Sequence, residues 1–328
     1  NGPFDAPSFP LDAESTAMRS AGVGTERMEI AWDLVEPQKG QYDFTLPDRK
    51  VLAAAKAGID VLALIVRTPS WAAQQPGQLF SPPRDPADYA AFATTLVARY
   101  GPNGQLWRDH PDVPKRPVEA WQVWNEPNIA VYWTKQPFMR DYAHLLNAAY
   151  AAIKQADPKA TVVMAGLANF SWRDLKRLFE RGGTTLRFDV AAVHPFSGRP
   201  SNSVKIVGLN RLVLNRHGAK RKPIWLTELT WSSAKGHKSK LTQNWETTEA
   251  GQAERLRAAG VPALRQGAQA AQTAADLLVH VGHRRPRFAE LVRLLGVAHR
   301  ARRRDRRRQA CGEGISRGGP PLPLMRDT

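Results

Sequence analysis

The chain has 328 residues, a formal net charge of +17 and a single cysteine, Cys311. That length suits one barrel-sized domain with a substantial core, the lone cysteine excludes an internal disulfide, and no apolar run approaches the ~18 residues needed to span a bilayer. The charge is uneven: residues 1–257 hold 33 Lys and Arg against 25 Asp and Glu, whereas residues 258–328 hold 14 Arg, no Lys and five acids.

In chain order, Arg27–Trp32 reads as a strand. Asp48–Gly58 reads as a helix with Val51, Leu52 and Ala55 on one face. Ile59–Val66 is a near-continuous apolar run, expected of a strand covered on both faces. Asp88–Tyr100 is a predicted helix, Val118–Trp124 a strand, and Asp141–Ala156 a helix closed by Asp157-Pro158. Ala160–Ala165 (strand), Trp172–Arg181 (helix), Phe188–His194 (strand), Ile206–Arg216 (helix) and Ile224–Thr227 (strand) follow, and Leu241–Leu256 reads as one more helix, with Thr247–Arg255 its clearest run. Strand and helix alternating in units of roughly 30 residues argue for an α/β fold with a parallel sheet.

Two of these strands end in a glutamate. Trp121-Gln122-Val123-Trp124-Asn125-Glu126-Pro127-Asn128 carries the first, and Pro223-Ile224-Trp225-Leu226-Thr227-Glu228 the second, 102 residues later and so about three units on. In a (β/α)8 barrel, catalytic side chains sit at the carboxyl ends of strands. Two carboxylates converging on one cleft are the minimal equipment for cleaving a glycosidic bond. Counting a remnant strand near Gly2-Pro3-Phe4, Glu126 falls on strand 4 and Glu228 on strand 7.

Trp-Asn-Glu-Pro and Thr-Glu at those places resemble clan A, the 4/7 superfamily of glycoside hydrolases. Within it the chain is most similar to the retaining glycosidases of the family 39 β-xylosidase type, with family 5 cellulase-like relatives as neighbours. The segment Trp32-Asp33-Leu34-Val35-Glu36-Pro37-Gln38-Lys39-Gly40-Gln41-Tyr42-Asp43-Phe44 and the run Thr68-Pro69-Ser70-Trp71 fit the same pattern. The resemblance covers about residues 1–250. It implies a TIM barrel, here incomplete, with strand 1 clipped and strand 8 missing or replaced by an aberrant basic tail. It implies a retaining β-glycosidase working by double displacement, with Glu126 as general acid/base and Glu228 as nucleophile. It further implies that Arg27 pairs with the nucleophile, that Asn125 meets the sugar 2-hydroxyl and that His194 lines the site. Phe196 stands where relatives often have Tyr. Trp32, Trp71, Trp133 and Trp231 are candidate stacking surfaces for sugar rings, each with core packing as its alternative and Trp231 favoured for the site. The expected partner is an oligosaccharide or glycoside, with no metal and no organic cofactor.

Other chemistry finds little support. His280 and His283 have metal-like spacing without accompanying acids or thiols, and the chain has neither a Gly-rich phosphate loop nor a G-x-S-x-G elbow. The alternative function is a non-catalytic carbohydrate-binding or nucleic-acid-associated protein on a degraded barrel. Nucleic acid is disfavoured despite Arg302-Arg303-Arg304-Asp305-Arg306-Arg307-Arg308, because no aromatics interleave with the arginines for base stacking. The sequence thus divides into a glycosidase domain over 1–257 and an atypical Arg/Ala/Gly-rich tail over 258–328, expected to be disordered or partly helical. The tail reads as a basic interaction segment, as a natural helical end to the barrel, or as the product of a reading frame shifted near codon 258. The last is favoured because a shifted GC-rich frame yields Arg, Ala, Gly and Pro with almost no Lys or Tyr. Open sheet edges would then predict poor solubility and weak activity. No signal peptide is visible, and the bacterial-type sequence is compatible with a secreted or a cytoplasmic enzyme; the oligomeric state is open.

Overall fold

The structure is a computed structural model that describes residues 2–6, 8–236 and 245–259. Six strands are present among them: β1 (Thr25–Ala31), β2 (Asp60–Val66), β3 (Ala120–Val123), β4 (Thr161–Met164), β5 (Ala191–Val193) and β6 (Ile224–Leu226). Between and around them run α1 (Leu11–Ser20), α2 (Trp32–Val35), α3 (Thr45–Ala57), α4 (Pro86–Tyr100), α5 (Gln105–Asp109), α6 (Met139–Ala156), α7 (Ser171–Arg181), α8 (Pro200–Arg216) and α9 (Glu249–Ala259).

The strands lie in chain order and all pairings are parallel. β1 to β4 form one sheet and β5 pairs with β6. Parallel bridges from Val163 to Val190 and from Leu167 to Val193 join the two parts into one curled wall. This is the (β/α) barrel architecture expected from the alternation. β2 is buried over six consecutive residues because side chains cover both of its faces. Alternate strand residues separate into two layers: Met28, Ile30, Ala63, Ile65, Trp121 and Val123 pack in the main core with the helices. Leu62, Val163, Val190 and Ala192, with Ala120 and Trp225 against them, form a smaller cluster.

Local signals explain several helix ends. Asp85 caps α4 by accepting from the Ala87 amide at 2.9 Å, and Pro86 opens the helix. Gly58 closes α3 with a left-handed φ of 72°. Two buried tyrosines tie helices to strand ends. Tyr89 on α4 donates to the Ile65 carbonyl at 2.8 Å. Tyr142 on α6 donates to the Val123 carbonyl at 3.1 Å and accepts from the Ala165 amide at 2.6 Å, clamping β3 to β4. Burial pushes both phenols well above the usual tyrosine range, so each stays a neutral donor.

The structure departs from the sequence reading in places. Gly2–Asp5 is a 3-10 turn, not a strand remnant, and no strand precedes β1 among the described residues. Glu126 and Glu228 therefore follow the third and sixth described strands; their separation of three strands is as expected. The short helices α1, α2 and α5 had no counterpart in the reading, and α8 begins six residues before the predicted Ile206. His280, His283 and the Arg302–Arg308 cluster lie outside the described residues, as does nearly all of the 258–328 tail. No helix among the described residues is long and apolar enough to cross a membrane.

Candidate active site

The first acid sits on unusual backbone. Trp124 and Glu126 have φ values of 69° and 43°, in the left-handed region that a bulky residue rarely enters. Such conformations cost about 1–3 kcal/mol each and persist only when the surroundings over-determine them. The surroundings do so. The Trp124 amide donates to the Ile65 carbonyl at 3.0 Å and the Glu126 amide to the Gly166 carbonyl at 3.1 Å. The Trp124 indole donates to the Tyr132 carbonyl at 2.7 Å and meets Trp133 edge-on at 5.1 Å. The wholly buried Trp124 is thus an anchor that fixes where Glu126 points.

Arg27, on β1, is the hub. Its Nη1 donates to Glu228 Oε1 at 2.6 Å, its Nη2 to Asn125 Oδ1 at 2.7 Å and its Nε to Gln122 Oε1 at 2.6 Å. The planar fork of a guanidinium suits three acceptors in fixed directions. With its side chain only 4% exposed, it confronts a Glu228 that is 22% exposed, so the pair is largely out of water. The contact between β1 and Glu228, two residues past β6, also shows how far the wall has curled.

His194, just past β5, is fully buried and holds the other acid. Its Nδ1 lies 2.7 Å from Glu126 Oε1 and its Nε2 2.9 Å from Thr227 Oγ1. The Nε2 is also 3.7 Å from Glu228 Oε1. Oxygen or nitrogen atoms of Glu126, His194 and Glu228 all fall within 4.8 Å of one another. The ring fits because residue 166 has no side chain: a methyl there would stand 2.1 Å from His194 Nε2.

The aromatic candidates separate. Trp32 is 0% exposed, stacked on Phe92 and edge-on to Trp71 and Tyr89, with its indole donating to Glu36. Trp32 is therefore core packing and not a stacking surface, and the equally buried Trp133 is corrected in the same way. Trp231 is 1% exposed and donates to the Ser197 carbonyl at 2.6 Å, so its ring props the loop after β5 and offers no open face. Trp71 is half-buried, with the Lys39 ammonium 5.3 Å from its ring centre. Phe196 is half-buried beside His194, 5.9 Å between ring centres, and brings no hydroxyl to the acids.

The structure therefore brings together Glu126, Glu228, Arg27, Asn125 and His194, with Phe196 at their border. Four further participants went unrecognised in the sequence. Gln122 and Thr227 are the buried partners of Arg27 and His194. Gly166 supplies both an acceptor and empty space. Tyr132 lies near enough to sense the acids: its phenol is raised by burial, then by the negative charges of Glu126, Glu228 and Glu29. Gln122 and Thr227 could have been noticed as polar residues inside apolar strands; no sequence signal marks Gly166.

A family model for glycoside hydrolase family 42, described as beta-galactosidase, matches residues 3–79. A family 39 glycoside hydrolase from the gut symbiont Bacteroides cellulosilyticus WH2 superposes with a TM-score of 0.60 at 18% identity, covering 84% of this chain and 54% of that one. A glucosidase from Croceicoccus marinus gives 0.56 at 17% identity, with 81% and 54% covered. The chain shares its fold with these glycosidase structures. A structure of fungal β-1,4-galactanases agrees at 0.54 and 16% identity, with 81% and 80% covered. The chain spans about half the length of the first two structures. No protein of curated function matches it in sequence.

Proposed function

We propose that the chain is a retaining β-glycosidase acting by double displacement, with Glu228 as nucleophile and Glu126 as general acid/base. The observation that carries this reading is the approach of the two acids. A carboxylate oxygen of each lies within 4.8 Å of the other. Retaining glycosidases hold their carboxyl groups about 5–5.5 Å apart, whereas inverting ones leave about 6.5–9.5 Å for a water.

The surroundings divide the labour. Arg27 places a fixed positive charge on Glu228 Oε1, which favours the ionised carboxylate that attacks the anomeric carbon. Glu126 instead faces a histidine that can serve either state. With the proton on Nδ1, His194 donates to ionised Glu126 and accepts from the Thr227 hydroxyl. With the proton on Nε2, it donates to Thr227 and accepts from protonated Glu126. Glu126 can then give its proton to the leaving-group oxygen, and later take one from the water that hydrolyses the glycosyl–Glu228 ester. Asn125, oriented by Arg27, keeps its amide nitrogen for the sugar 2-hydroxyl.

The trio Glu126, His194 and Glu228 has the donor types of a divalent-cation site. Arg27 argues against that use, because its guanidinium already sits on Glu228 Oε1 and would repel a second cation. The proposed chemistry needs no cofactor.

The test is hydrolysis of a panel of aryl β-glycosides by the wild-type chain, Glu126→Ala and Glu228→Ala. Both variants should lose activity, and azide should restore turnover to Glu228→Ala with formation of the inverted glycosyl azide. Undiminished hydrolysis in either variant would refute the assignment. Saccharide binding by the wild type with no hydrolysis would support the non-catalytic reading instead.

A further inference from the structure

We propose that Phe170, Trp172 and Arg173 form a saccharide platform on the leaving-group side of the site, taking a pyranose ring of an oligosaccharide substrate. This rests on the glycosidase reading above and adds the substrate class to it.

Exposed large hydrophobic side chains are not scattered over this molecule. Of the six among the described residues, Leu34, Tyr42, Leu79, Val131 and Phe170 stand in segments that follow strand carboxyl ends, on the face that carries Glu126 and Glu228. Only Leu212, on α8, lies elsewhere. Apolar groups gathered round one opening mark a binding surface.

Phe170 is the most developed of them. It is 57% exposed, and Trp172 meets it edge-on at 5.6 Å. The Arg173 guanidinium lies 4.9 Å from the Phe170 ring centre and 5.9 Å from that of Trp172. Flat apolar rings suit the C–H faces of a pyranose, and a guanidinium beside them offers donors to its hydroxyls.

The side of the cleft follows from Asn128, two residues past Glu126. Its Nδ2 donates to the Ala168 carbonyl at 3.0 Å and to Asp174 Oδ2 at 3.0 Å, and its Oδ1 accepts from the Ala168 amide. The Glu126 loop and the Phe170 loop are thereby one body. A general acid faces the leaving-group oxygen, so the departing saccharide extends over the loops on the Glu126 side. Phe170 is carried on the loop that Asn128 ties to Glu126.

The experiment is calorimetric titration with thio-linked, uncleavable β-1,4 oligosaccharides of glucose, xylose, mannose and galactose. Wild type, Phe170→Ala, Trp172→Ala and the remote Leu212→Ala are compared. At least one series should bind wild type, with the dissociation constant raised roughly tenfold in Phe170→Ala and Trp172→Ala and unchanged in Leu212→Ala. Equal affinity in wild type and Phe170→Ala overturns the platform. So does failure of every series to bind wild type. Turnover of aryl glycosides that depends on Glu228 would then leave the glycosidase reading standing, whereas no turnover would bring both down. Sedimentation velocity adds a further arm: a wild-type dimer that Phe170→Ala dissociates would assign the ring to a protein contact and overturn the proposal.

Discussion

Replacing Gly166 by Ala tests the geometry of the site without touching any charged group. The added methyl would lie 2.1 Å from His194 Nε2, 2.5 Å from Cδ2 and 2.7 Å from Cε1. Ordinary contact needs about 3.4 Å, so the imidazole must retreat by roughly 1 Å. It has nowhere to go, being fully buried and held by Glu126 at 2.7 Å and Thr227 at 2.9 Å. Overpacking of this kind costs about 1–3 kcal/mol of stability. A misplacement of about 1 Å at a catalytic group costs about 10²-fold in rate. The assay is kcat for an aryl glycoside across pH, together with a thermal melt. Gly166→Ala should lose about 10²-fold in kcat and lower the melting temperature. Removing the ring as well, in Gly166→Ala/His194→Ala, should recover stability relative to Gly166→Ala alone, since the two changes share one space. Wild-type kcat and an unaltered melt in Gly166→Ala would refute the reasoning.

Three other outcomes follow from the structure. Arg27→Lys keeps the charge but loses the fork that serves Gln122, Asn125 and Glu228, so kcat/KM should fall roughly 10²-fold; a loss under threefold contradicts the hub. Tyr142→Phe leaves the Ala165 amide and the Val123 carbonyl without their shared partner and should cost about 1–3 kcal/mol in urea unfolding, a cost near zero being the refuting result. Burial holds the Glu26 carboxyl above its ordinary range, against the opposing charge of Lys50. The folded state then binds the proton more tightly than the unfolded chain does, so stability falls as pH rises through the carboxylate range. Glu26→Gln should accordingly raise Tm at about pH 7 and lose that advantage by about pH 3.5; an equal gain at both would sink the argument.

Which features were legible depended on how local their causes are. The strands and main helices could be read because burial on one or both faces imposes a period on the residues themselves, as in Ile59–Val66. Glu126 and Glu228 could be proposed from sequence because each ends an apolar strand in a recognisable motif, whereas Arg27 and His194 were proposed only through the family resemblance. The tryptophans were not resolved, because a Trp looks the same in sequence whether it packs against Phe92, as Trp32 does, or props a loop, as Trp231 does. Gly166 was invisible for a sharper reason. Its role is set by a ring 28 positions away, brought there by the pairing of Leu167 with Val193. The strand expected near Gly2-Pro3-Phe4 failed because three residues carry too little pattern to tell an extended segment from a tight turn.

The Arg27–Glu228 contact spans 201 positions. At ribosomal speeds of about 5–20 residues per second, the guanidinium waits on the order of 10–40 s for its counter-ion to be synthesised. A cation cannot enter a dry interior unaccompanied, so the stretch of β1 around Arg27 must stay hydrated until β6 arrives. Assembly at the nascent chain is therefore gated by Glu228, the later-made of the two site acids. Truncating translation before residue 228 should leave the β1 amides open to exchange, and early protection of those amides would show that closure does not wait.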